Sequence, residues 1–380
     1  MRVLHVIADL ADRHGGPTTA VRGMAEALAK RGHEVVVAST DYGAPATDRG
    51  DRESEENGVH YVARRSHRPA KLRASIGLGR WLQRSIPTFE IVHVHSMYLF
   101  HNWVCGRVCR TRAVPYLVRP HGTIQSPIWE RRRRRKALAE WAFERTNLEA
   151  AAAVHCTSPQ EVEAVKERFP RARPALVPLG VDLEFHTPGA SESARETTIL
   201  FLGRLTERKG VLELLDAFRR LASQREEARL VYAGPDDQGL GARLRERVIE
   251  LGLENRVEFH GPVAGEEKRA LLRRARCLVL PSARENFGLV VLEALANGTP
   301  VVCSEEVDVV AMLEGRSGAA VHVAPRNPED LAHSVAHLLE GDAAQQARDA
   351  VRAASGFSWN RTAEALDRLY RDVLEGRAVA

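Results

Sequence analysis

The chain has no pair of cysteines at metal-binding or redox spacing. Its five, Cys105, Cys109, Cys156, Cys277 and Cys303, are odd in number and scattered without a CxxC. That usage excludes a disulfide framework and fits a reduced, cytoplasmic compartment. Cys105 and Cys109 stand four apart, but no second pair completes a zinc site. No apolar run approaches the ~20 residues that a membrane span requires. The opening MRVLHVIADL is apolar but short, and Asp9 and Asp12 follow at once, so it reads as a first buried strand and not as a signal peptide. There is no GxGxxG dinucleotide fingerprint, no fixed-period repeat, and no low-complexity tract beyond one arginine run. The basic balance comes without aromatics on a stacking sheet, which argues against a nucleic-acid partner. His93, His95 and His101 lack clean ligand spacing; strand alternation places His93 and His95 on one face, toward a core or cleft, and no metal is expected there.

What is present is length for two domains: 380 residues with an ordinary apolar fraction of 44%. The net charge of +5 is unevenly shared. Residues 1–185 carry 29 Lys and Arg against 20 Asp and Glu, which is +9; the remainder carries 26 against 30, which is −4. Such asymmetry points to different partners for the two halves.

Apolar strand runs alternate with amphipathic helical patterns throughout. Val3–Ala8 runs into a polar loop with Gly15-Gly16-Pro17, then a helix from about Thr18 to Lys30 and a strand at Val35–Ser39. This βαβ opening favours a parallel sheet with helices on both faces. Strands are expected at Val59–Ala63, Ile91–His95, Tyr116–Arg119, Val154–Thr157 and Ala175–Val181, with helices at Ala70–Arg84 and Glu130–Asn147. Asp182–Ala194, with Pro188 and Gly189, reads as a linker. The alternation restarts at Thr198–Leu202 and continues to Val301–Cys303; a last helix, Trp359–Leu374, closes the chain. The expectation is two Rossmann-like domains, 1–183 and 184–357, with 358–380 packing back on the first.

Two stretches carry the chemistry. Ile199–Leu202 runs straight into Gly203-Arg204-Leu205-Thr206-Glu207-Arg208-Lys209-Gly210. The glycines let the backbone turn tightly, and a guanidinium and an ammonium at the end of a parallel strand suit a diphosphate. The second stretch is PSARENFGLVVLEALANGTP, Pro281–Pro300, where Glu293 follows Glu285 by eight residues. A helix beginning near Phe287 would leave the N–H groups of Asn286, Phe287, Gly288 and Leu289 pointing out of its end, a ready anion site flanked by carboxylates that can hold sugar hydroxyls.

Taken together, Gly203-Arg204 with Lys209-Gly210, and Glu285-Asn286-Phe287-Gly288 with Glu293, resemble the retaining glycosyltransferases of family four, glycosyltransferase group 1. The Gly-Gly loop, the His121-Gly122 turn in RPHGT, the LGVD segment at Leu179–Asp182 and the Trp-bearing last helix extend the resemblance over essentially the whole chain. It implies an α/β, GT-B fold: two Rossmann-like domains facing across a cleft, with a C-terminal helix crossing back to the first. It implies that Arg204 and Lys209 bind the donor diphosphate and that Glu293 holds the ribose. Glu285 would face the donor sugar, with the backbone of Asn286–Leu289 around sugar and phosphate. Gly15 and Gly16 would close on the phosphate from the other domain, His121 would lie near the reacting sugar, and His260-Gly261-Pro262-Val263 would line the base.

The activity so implied is metal-independent transfer of a hexose, with retention, from a UDP- or GDP-hexose to a saccharide or lipid-linked acceptor, in cell-surface polysaccharide biosynthesis. No Asp-x-Asp run stands where a metal would bridge the phosphates, and Arg204 and Lys209 can neutralise the leaving diphosphate instead; no cofactor is expected. Competing readings are a nucleotide-sugar epimerase of the same fold and a non-catalytic sugar-nucleotide-binding subunit. The arginine run Arg131–Lys136, interleaved with Trp129, Trp141 and Phe143, adds an expected contact with an anionic membrane surface, placing a cytoplasmic protein peripherally on the inner face.

Overall fold

The computed structural model describes residues 1–11, 15–44, 46–67, 74–125, 133–183, 197–236, 238–313, 315 and 318–378. From residue 184 on, the expected linker lies outside the described residues, as do Trp129, Arg131 and Arg132. The chain forms two compact units, one of Met1–Gly180 with Trp359–Ala380, the other of Val181–Ser358.

The first unit is built on strands β1 (Arg2–Asp9), β2 (Glu34–Thr40), β3 (Arg52–Glu56), β4 (Val59–Arg64), β5 (Ile91–His95), β6 (Tyr116–Arg119), β7 (Ala153–Cys156) and β8 (Pro174–Leu176). They lie in the order β3-β4-β2-β1-β5-β6-β7-β8. Every neighbouring pair is parallel except β3 with β4. The central strands are buried along nearly their whole length because helices cover both faces. β3, RESEE, is exposed along its whole length, a charged edge that discourages further strand pairing. The helices are α1 (Gly16–Lys30), α2 (Ile76–Ser85), α3 (Phe100–Arg112), α4 (Arg133–Ala139), α5 (Arg145–Ala150) and α6 (Pro159–Arg168). A π-helical turn, Glu140–Glu144, interrupts the single helix expected over Glu130–Asn147. The expected strand Ala175–Val181 stops at Leu176; Pro178 cannot donate to a ladder.

The second unit carries β9 (Thr198–Leu202), β10 (Arg229–Ala233), β11 (Val257–Gly261), β12 (Cys277–Leu280), β13 (Val301–Cys303) and β14 (Val321–Val323), all parallel, in the order β11-β10-β9-β12-β13-β14. Its helices are α7 (Val211–Ala222), α8 (Leu240–Glu250), α9 (Gly265–Arg274), α10 (Leu289–Ala296), α11 (Val309–Leu313), α12 (Pro328–Glu340) and α13 (Ala343–Ala354).

The last helix, α14 (Trp359–Leu374), belongs to the first unit. The Trp359 ring lies flat against Gly23 of α1, where any Cβ would fall 2.2 Å from Trp359 Cε2. Asp367 of α14 takes His33 Nε2 at 3.2 Å and Arg31 at 3.6 Å, and Tyr370 is fully buried with its hydroxyl on His93.

Candidate active site

In an open parallel sheet the chain reverses its direction of strand addition at one place, and ligands gather at the strand carboxyl ends there. In the second unit that place lies between β9 and β12: β10 and β11 are added on one side of β9, β13 and β14 on the other side of β12. The two stretches singled out in the sequence are the segments leaving those adjacent strands, so the sheet order brings them together.

The loop after β9 puts a short 3₁₀ turn, Glu207–Lys209, before α7. Gly210 ends that turn at φ 70°, and a Cβ there would sit 2.1 Å from the Pro281 carbonyl oxygen. Only glycine permits so close an approach of the two loops in this conformation. Ala283 N–H then donates to Arg208 O at 2.7 Å. Lys209 Nζ makes an ion pair with Glu285, 76 residues away in sequence. Arg204, one residue past Gly203, is exposed and has no partner among the described residues.

The segment after β12 is held as a short strand-like run. Glu285 N–H donates to Glu306 O at 2.9 Å, Asp308 N–H to Glu285 O at 3.2 Å, and Val309 N–H to Phe287 O at 3.0 Å. α10 opens at Leu289, two residues later than expected, because Gly288 at φ 90° turns the chain first. Glu293 falls in the second turn of α10 and pairs with Lys268 Nζ of α9 at 2.8 Å. Gly261 and Pro262 lie where β11 ends, beside β10; Gly234 N–H donates to Gly261 O at 2.6 Å. Arg204, Lys209, Glu285, the Asn286–Leu289 turn, Glu293, Gly261 and Pro262 thus all lie at one edge of the second sheet or on the helix leaving it.

In the first unit the corresponding reversal is between β1 and β5. Gly15, at φ 62°, caps α1 just beyond β1, with Gly16 as the first helical residue. His121 follows β6 in a left-handed conformation, φ 52°, and Ser96 and Tyr98 after β5 are likewise left-handed at φ 71° and 64°. Left-handed non-glycine residues are uncommon and gather where a site constrains the backbone. Buried Glu161 holds the His121-Gly122 turn, accepting from Gly122 N–H at 2.9 Å and Thr157 N–H at 2.9 Å. Burial pushes the Glu161 carboxyl upward; the nearby charge of Arg119 opposes that rise. The π turn aims two acids at Tyr98: its N–H donates to Glu144 at 2.8 Å and its hydroxyl to Glu140 at 2.6 Å, while Arg168 forks Glu140 at 3.0 and 2.8 Å. Burial raises Glu144 to about 8.

Sequence reasoning missed four participants. Lys268, the partner of Glu293, is one of several charges on a polar helix. Arg326 ties Pro281 O at 3.0 Å to Glu213 at 2.8 Å. The histidines His5 and His155 join His93, His95 and His121 in one buried group. The period-two repeat His93-Val94-His95 was a signal for that group, but the pairing of His5 with His93 on β1 is not local.

Two parallel α/β units with cations and acids at the strand ends define a glycosyltransferase of the GT-B class. The description "Glycosyl transferases group 1" matches residues 186–355, and "Glycosyl transferase 4-like domain" matches residues 15–180. The chain is 30% identical over 394 residues to the D-inositol 3-phosphate glycosyltransferase of Corynebacterium urealyticum, covering 94% of this chain and 91% of that one. It therefore belongs to the family-four, group 1 glycosyltransferases. The Mycobacteroides abscessus protein of the same name is 36% identical over 220 residues, 55% of this chain and about half, 47%, of that protein. Among solved structures, sucrose-phosphate synthase from Thermosynechococcus elongatus superposes with a TM-score of 0.76 at 22% identity, covering 99% of this chain and 100% of that one. Anabaena HepE in complex with UDP and glucose superposes with a TM-score of 0.73 at 17% identity, covering 98% and 100%.

Proposed function

We propose that this enzyme moves a hexose, with retention of configuration, from a nucleoside diphosphate sugar to a saccharide, lipid-linked or phosphorylated cyclitol acceptor. The observation that carries the reading is the meeting of the 203–210 and 281–288 loops at the reversal point of the second sheet, where Lys209 and Glu285 pair. In this reading 184–357 is the donor side and 1–183 with 358–380 the acceptor side. Breaking the bond to the diphosphate develops negative charge on the leaving oxygen. Arg204 supplies a fork and Lys209 a point charge to hold it. An ammonium has three N–H donors, so Lys209 can keep Glu285 and still reach a phosphate oxygen. Glu285, fixed by that pair, is the carboxylate for the donor sugar's hydroxyls, and Glu293 is the one for the ribose. Gly261 and Pro262 line the base; Gly15 and Gly16 belong to the acceptor side, and His121 is the histidine for the transferred sugar. The relatives named for D-inositol 3-phosphate add the phosphorylated cyclitol to the saccharide acceptors, and solved chains of this fold hold UDP or UDP-glucose.

The test is product analysis. UDP-glucose or GDP-mannose is supplied with inositol 3-phosphate and with saccharide acceptors, and the anomeric coupling of the product is read by NMR. A product with the donor's own anomeric configuration is expected; an inverted linkage would contradict the reading. Because Arg204 and Lys209 carry the neutralising charge, full turnover is expected in EDTA, and strict dependence on Mg²⁺ or Mn²⁺ would overturn metal-independent transfer.

The reading extends to a cytoplasmic enzyme of cell-surface polysaccharide assembly that rests on an anionic membrane. No helix among the described residues is long and apolar enough to cross a membrane. Leu138 and Trp141, three apart, are 65% and 83% exposed, and Arg134 is exposed one turn earlier. Lys136 is turned away from that face, its ammonium 5.6 Å from the centre of the Tyr98 ring. Apolar tips beside an arginine run suit the headgroup boundary of an anionic bilayer. Replacing Leu138 and Trp141 by serine should cut cosedimentation with phosphatidylglycerol vesicles; unchanged binding would make this an ordinary solvated helix.

A further inference from the structure

Five histidines of the first unit are joined ring to ring. His155 Nε2 lies 2.8 Å from Val177 O, and its Nδ1 lies 3.3 Å from His93 Nε2; His93 Nδ1 lies 2.8 Å from the Tyr370 hydroxyl. A second run starts at His5, whose Nδ1 lies 2.9 Å from His95 Nε2; His95 Nδ1 lies 3.1 Å from His121 Nε2. His5, His93, His95 and His155 are fully buried, while His121 is only partly so.

His5, His93 and His95 offer nitrogens within 4.8 Å of one another, the spacing of a metal triad. Five of their six ring nitrogens, however, already have partners: both of His93, both of His95, and Nδ1 of His5. Only His5 Nε2 has none. The group is therefore a pair of hydrogen-bonded runs, and their proton positions can be worked out.

Every ring in it is neutral. Burial, with the charge of Arg119 adding, lowers His5 to about 3 and His155 to about 3, and holds His93, His95 and His121 well below the ordinary value. A neutral imidazole has one N–H and one lone pair. Val177 O can only accept, so His155 carries its proton on Nε2 and accepts at Nδ1. His93 then donates from Nε2 and accepts at Nδ1 from the Tyr370 hydroxyl.

The second run has two self-consistent states, which differ in what is stranded at His5 Nε2. One strands a buried N–H there, the other a buried lone pair. Among backbone groups a buried orphaned N–H is the rarer case and an under-satisfied carbonyl the commoner. The buried cationic guanidinium of Arg119 near His5 favours the lone pair as well. His5 therefore donates from Nδ1 to His95 Nε2, and His95 donates from Nδ1 to His121 Nε2. His121 is left with its proton on Nδ1, which has no partner among the described residues.

We propose that His95 is a positioning residue: its Nδ1–H, set by His5, holds His121 in the Nδ1–H form, so that His121 presents a hydrogen-bond donor to a hydroxyl oxygen of the transferred sugar. This rests on the reading of His121 given under the proposed function. The two forms of His121 would address the sugar oppositely, one donating to an oxygen and the other accepting from an O–H. The chain fixes that choice before substrate arrives.

The experiment is ¹⁵N NMR of the full chain labelled at histidine, with His121 assigned by its loss in His121→Gln. The expected spectrum shows His121 protonated at Nδ1 and bare at Nε2; the opposite pattern overturns the proposal. His95→Leu removes the donor and should leave His121 in a mixture of both forms. UDP release from UDP-glucose, or GDP release from GDP-mannose, should fall about three- to tenfold in kcat, the worth of one neutral hydrogen bond, at unchanged KM. His95→Asn keeps a donor near the Nδ1 position and should restore most of both. A single His121 form and unaltered kcat in His95→Leu would overturn the assignment. The tautomer is read without turnover, so it fails separately from the reading beneath it, which full activity of His121→Gln would overturn.

Discussion

Lys209→Ala should lower turnover by about 10²–10³-fold while leaving the fold intact. The magnitude is that of removing one preorganised group that stabilises charge developing in a transition state. In the proposed reaction that charge is on the departing diphosphate, and the loop after β9 would bring Lys209 to it. The fold should survive because the ion pair it breaks is partly open to water: the side chains of Lys209 and Glu285 are 19% and 24% exposed. Water can take over the Glu285 carboxylate, so the change does not strand a fully buried charge. Lys209→Arg is not a neutral control, since a planar fork would replace a point charge on a tightly packed turn. The measurements are kcat for nucleoside diphosphate release and a thermal melt of the same sample. Unaltered kcat would remove Lys209 from the diphosphate site.

Gly210→Ala should cost about 2–5 kcal/mol, combining a left-handed strain with an overpacked contact. The contact is with backbone: the new methyl would fall 2.1 Å from Pro281 O, which cannot swing aside as a side-chain tip would. Relief requires the loops after β9 and β12 to part, and with them Lys209 and Glu285, so activity should fall together with stability. Gly252→Ala is the control, at φ 66° with nothing within 4 Å of the new methyl. It should show the dihedral cost alone, about 1–2 kcal/mol. Urea denaturation of the full chain separates the two; equal losses would mean that the loops are not pressed together.

Local patterns made much of this molecule readable in advance. The strand Thr198–Leu202, the glycines around Lys209 and the apolar spacing of Leu289, Leu292 and Leu295 each follow from nearest-neighbour chemistry, and the structure has them in place. The terminal helix was equally legible, because Ala363, Leu366 and Tyr370 recur at helical spacing and are buried. What escaped depends on which strand lies beside which. The pairing of His5 with His93 exists because β5 is added next to β1, a consequence of sheet order that no window of sequence contains. Lys268 meets Glu293 because α9 packs beside α10, and Arg326 reaches Pro281 O from the segment before α12. β3 was missed for another reason: its five residues are all polar or charged, and a solvated edge strand carries none of the apolar alternation by which strands are recognised.

The most direct measurement is a thermal melt of the full chain against UDP, GDP and their hexose conjugates. A ligand that binds only the folded state raises the Tm by an amount that grows with its concentration over Kd. One nucleotide series should raise the Tm saturably, with the rise largely lost in Arg204→Ala and in Lys209→Ala. No rise with any nucleoside diphosphate at millimolar concentration, or a rise unaltered in both variants, would contradict the assignment of the Arg204–Lys209–Glu285 cluster as the donor site.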